Sequence, residues 1–158
     1  MSGNYNLVEG AHLVLCNKPI DANDAAQVGT TVNTKLGDKV LFLVQCGVYG
    51  AATTVTVEEC TDAAGADNVA IAFNYYLSTT ADSSSFGART AATAAGVAIG
   101  GATRMLAIDI DASELSPTKP FVRVKIDDPG VATLTSVVAI IHPVRYASLA
   151  ANQPSAIV

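Results

Sequence analysis

The 158-residue chain suits one domain of ordinary size. Half of its residues are hydrophobic and only 15% are charged, against roughly 25% charged in a typical soluble domain. The net charge of −5 and the scattering of the nine Lys and Arg exclude a nucleic-acid groove, which needs clustered cations to displace counterions from phosphates. The absence of Trp also speaks against a base-stacking platform. Small residues must cover much of the surface, and low charge limits the repulsion that keeps monomers apart. The expectation is a subunit largely covered by neighbours. A chain of this length buries roughly 70% of its unfolded surface, so it needs no metal or disulfide to hold a core. No apolar run reaches the ~18 residues of a membrane span. The stretch "MSGNYNLVEG" lacks the basic and apolar regions of a signal peptide, so synthesis and folding in a cytoplasm are predicted.

Residues 1–35 read as a peripheral N-terminal arm. "VEGAHLVL" predicts a strand over 8–15, and "CNKPIDANDAAQVGTTVN" follows without sustained period. The core is predicted over 36–144. "KVLFLVQCGV" gives a strand at 39–46, apolar on both faces and therefore expected to be central and covered on both sides. Glycines in "GVYGAAT" turn the chain into a second strand at 53–60, where Val55 and Val57 oppose Thr54, Thr56 and Glu58. "DAAGADN" is a turn. "VAIAFNYYL" alternates over 69–77, with Val69, Ile71, Phe73, Tyr75 and Leu77 on one face.

The stretch 78–103 is rich in small residues and nearly free of charge. It reads as a long loop with one short strand over 86–93, packed against another chain. Strands resume at 103–110 (Leu106, Ile108 and Ile110 inward, Asp109 and Asp111 outward) and at 120–126 (Val122, Val124 and Ile126 inward). "DDPG" at 127–130 is a turn. The final strand, 134–142, is again apolar on both faces. Val55, Val57, Ile71, Phe73, Leu106, Ile108, Val122, Val124 and Ile140 are the predicted core. Strands at this spacing, with no amphipathic helix between them, indicate an all-β fold: an antiparallel β-sandwich or barrel-like domain with extended N- and C-terminal arms.

No constellation of residues carries catalysis. "DIDASE" at 109–114 fails as a calcium loop, with Glu114 where Gly is needed and Pro120 where a bidentate Glu is needed. Asp127 and Asp128 precede Pro-Gly, where Asp caps a turn. His12 and His142 stand far apart in sequence, and neither has a metal-ligand or triad partner at a known spacing. Ser83, Ser84 and Ser85 lack the strand–turn–helix context of a nucleophile elbow. Cys16, Cys46 and Cys60 fit no zinc pattern and read as buried thiols, with a disulfide as the alternative. The predictions are therefore no enzyme, no metal and no cofactor.

The residues 145–158 read as an extended C-terminal arm. After Arg145 no side chain is charged, and Pro154 argues against a closing helix. Tyr146, Leu149, Pro154, Ile157 and Val158 are the candidate inter-subunit contact.

Four segments, "NLVEGAHLV", "VEECTDAAGADNVAIAF", "VRVKIDDPG" and "PVRYASLAANQPSAIV", occur in this order. Together they resemble a family of small structural proteins of tailed bacteriophages, often encoded close to the major capsid protein. The resemblance covers most of the chain, least clearly 78–102. It implies a virion protein that decorates or cements the capsid exterior across capsomer junctions. The implied partners are the major capsid protein and copies of the chain itself, by analogy a homotrimer, with no nucleic acid and no membrane. The alternatives are a head–tail connector or tail subunit and, further off, a carbohydrate-binding β-sandwich resting on Tyr75 and Tyr76.

Overall fold

A computed structural model of the chain describes residues 11–22, 25–48, 51–100 and 104–144. Its strands, in chain order, are β1 (His12–Asp21), β2 (Gln27–Val28), β3 (Val32–Asn33), β4 (Gly37–Cys46), β5 (Thr53–Cys60), β6 (Val69–Ile71), β7 (Phe73–Leu77), β8 (Thr90–Ala92), β9 (Val97–Ile99), β10 (Arg104–Asp111), β11 (Phe121–Ile126) and β12 (Leu134–Val144). One sheet has the order β1-β12-β4-β10-β7-β8. In the other, β2 and β3 both pair with β11, β11 pairs with β5, and β6 and β9 pair with successive parts of β5. All pairings are antiparallel, and the two sheets pack as a sandwich.

Period-two alternation places the core between the sheets. Val40, Phe42 and Val44 of β4, Leu106, Ile108 and Ile110 of β10, and Val137, Ala139 and Ile141 of β12 point inward and are fully or almost fully buried. They meet Val55 and Val57 of β5 and Val122, Val124 and Ile126 of β11. Each such aliphatic or aromatic side chain contributes on the order of 1.5–3 kcal/mol by leaving water. Two single-turn 3-10 helices are closed by side-chain caps: Asn33 Oδ1 accepts from Lys35 N at 3.0 Å and Asp111 Oδ1 from Ser113 N at 2.9 Å.

The predicted core strands are found, with five differences from expectation. From His12 onward the region read as an N-terminal arm belongs to the sandwich. β1 pairs with β12 and buries Val14 and Cys16, and β2 and β3 pair with β11. The strand expected over 69–77 breaks at Ala72, so that β6 lies in one sheet and β7 in the other. A strand crossing the corner of a sandwich cannot keep one face inward along its whole length, which is why Val69 is 48% exposed and Ile71 only half-buried.

The stretch 78–103 contains two short strands instead of one, and both dock on this same chain: β8 on β7, and β9 on β5. Ile140 is half-buried rather than core, because Ile141 pairs with Val40 and takes the inward position. Last, among the described residues the outer faces of β4 and β12 are not covered, although their sequences are apolar on both sides.

Candidate interaction surface

Several of the side chains that could have carried chemistry are committed to structure. Asp109 and Asp111 face outward from β10. Asp111 caps the turn at Ser113 and lies 4.0 Å from Lys39 Nζ. The Ser113 hydrogen bonds, with a smaller contribution from Lys39, hold its carboxyl below the usual carboxylate range. Asp128 Oδ1 accepts from Gly130 N at 2.7 Å, closing the turn in which Gly130 takes φ 68°. Asp127, expected to cap the same turn, instead pairs with Lys125 at 2.8 Å.

Ser83 and Ser84 border a cleft of about 290 Å³ beside Arg104. The guanidinium there is already engaged, donating to Ser78 O at 2.7 Å. His12 sits at the start of β1 and His142 near the end of β12. Among the described residues no three His, Cys, Asp or Glu side chains cluster as metal ligands, and no helix is long and apolar enough to cross a membrane. The three cysteines are buried thiols.

What remains is a surface. Outward-facing positions of the six-stranded sheet line up in rows fixed by the register. In one row Leu13 of β1 pairs with Ile140 of β12, Ile140 with Leu41 of β4, and Leu41 with Asp109 of β10. In the next, Leu15 pairs with Val138, Val138 with Leu43, Leu43 with Ala107, and Ala107 with Tyr76 of β7. Six large aliphatic side chains thus form one block across β1, β12 and β4. Leu13 is 47% and Leu15 59% exposed, and the other four are half-buried by one another.

An apolar hollow of about 360 Å³ opens on the same face between Leu41 and Ile140, edged by Lys39, Asp109 and His142. Among the described residues the opposite sheet has no such face. There Glu58 and Arg123 form a mostly buried ion pair at 2.7 Å, and Thr54 and Thr56 stand beside it. Single exposed apolar residues are ordinary on any protein, but a contiguous block marks a contact.

The sequence contained this block, in the two-sided apolar runs of β4 and β12 and in "HLVL" of β1. Reading those runs as strands covered on both sides hid it. The five residues proposed from sequence as an inter-subunit contact, Tyr146, Leu149, Pro154, Ile157 and Val158, lie outside the described residues, as does the rest of the C-terminal arm. Tyr75 faces the core in partial burial while Tyr76 faces outward, so the two tyrosines do not form a shared aromatic platform.

No protein-family model and no curated protein matches the chain. Among solved structures, it aligns with a chain from the structure of infectious bursal disease virus Gx strain at a TM-score of 0.23 and 10% identity. The alignment covers 84% of this chain and 40% of that one, so the chain spans less than half the length of the viral protein. A likeness of this size carries no argument about function.

Proposed function

We propose that this chain is a structural protein of a tailed-bacteriophage virion, acting as a decoration or cement protein on the capsid exterior. The observation that carries the reading is the open apolar block on the six-stranded sheet. A domain that leaves six large aliphatic side chains together at its surface is built to be completed by another polypeptide. The resemblance of four ordered segments to phage structural proteins supplies the setting. The low charge of the whole chain agrees with it, since charged groups would bring a desolvation cost to every contact.

In this reading the protein works by burying surface at junctions between capsomers. Its partners are the major capsid protein and further copies of itself, and neither nucleic acid nor membrane is a ligand. The chemistry is contact alone, with no bond made or broken and no cofactor required.

Imaging purified virions by cryo-electron microscopy, with the protein identified by labelling, tests the proposal. The expected result is density on the outside of the head, repeated at capsomer junctions. A single ring at the head–tail junction would replace the reading by that of a connector. Absence from the particle would overturn it altogether.

A further inference from the structure

We draw no further inference here: the strongest candidate, the apolar block of Leu13, Leu15, Leu41, Leu43, Val138 and Ile140 on the outer face of the six-stranded sheet, belongs to the interaction surface already described, and nothing in the structure shows what covers it.

Discussion

Arg123 lies over Glu58, with Nε and Nη2 each 2.7 Å from Oε2, and both side chains are mostly withdrawn from water. Gly65 makes this possible: it takes φ 81°, and a Cβ there would collide with the guanidinium. Gly65→Ala should therefore cost about 1–2 kcal/mol for the left-handed backbone alone, and more because Arg123 must move. Arg123→Ala strands the Glu58 carboxylate and should cost about 3 kcal/mol, the low end for breaking a buried pair, since its rim reaches solvent. Denaturant titration of each variant reads these losses directly.

Two groups also set an alkaline limit. Burial pushes the Cys16 thiol up from 9.0 to about 12, against a smaller lowering by a hydrogen bond with the Ala139 backbone. The Asp127 carboxylate, through its hydrogen bond and its charge, raises Lys125 above 10.5. Both folded-state values exceed the unfolded ones, so their contributions are complete below about pH 9 and are lost as pH rises through the folded values. The melting temperature should fall between pH 9 and 12, and the folded protein should resist a thiol-reactive dye at pH 8 while the denatured chain reacts. The turn chemistry of 62–68 was legible from residue types and spacing. The Glu58–Arg123 pair was only half legible: alternation placed Glu58 and Arg123 outward on their strands, but no local pattern pairs β5 with β11.

At the scale of elements, legibility followed the strength of the pattern. β5, β10 and β11 alternate and β4 and β12 are continuous apolar runs, and each was predictable to within a residue or two from its own sequence. β1 was blurred because Asn17 and Pro19 interrupt its pattern, and the sheet shows register shifts at those points. β8 and β9 have three residues each, too few to show a period. The break at Ala72 was hidden because both halves of "VAIAFNYYL" alternate in phase, and only the tertiary corner separates them.

Phe73 is the anchor where the chain enters the second sheet. It is 3% exposed and lies 6.3 Å from Tyr75, centroid to centroid. Phe73→Ala should cost about 3–5 kcal/mol, read as a shift of the denaturation midpoint. Val69→Ala, on the exposed arm of the same corner, should change stability by less than about 0.5 kcal/mol. Equal losses at the two positions would mean that the corner does not separate a core strand from a surface one.

For the whole molecule, the two-sided hydrophobicity of β4 and β12 was legible, but what covers their outer side was not, because one chain's pattern does not name a neighbour. The same holds for the uncharged residues from Tyr146 to Val158, proposed as a second contact with another polypeptide. The hydrophobic cluster between the sheets is built from residues between Val14 and Ile141. Among the described residues that cluster closes the sandwich through the pairings of β1 to β12. Fixing thirteen further residues would cost on the order of 13–26 kcal/mol of backbone entropy, while each large apolar side chain buried returns only ~1.5–3 kcal/mol. Tyr146, Leu149, Ile157 and Val158 cannot recover that on their own, so main-chain hydrogen bonds to a neighbour must supply the balance if the segment is ordered. Truncation after Arg145 should therefore leave the melting temperature of the isolated chain nearly unchanged and weaken its attachment to shells. An unfolded truncation product would show the segment to be part of this chain's own core. Undiminished shell binding would show that attachment does not use it.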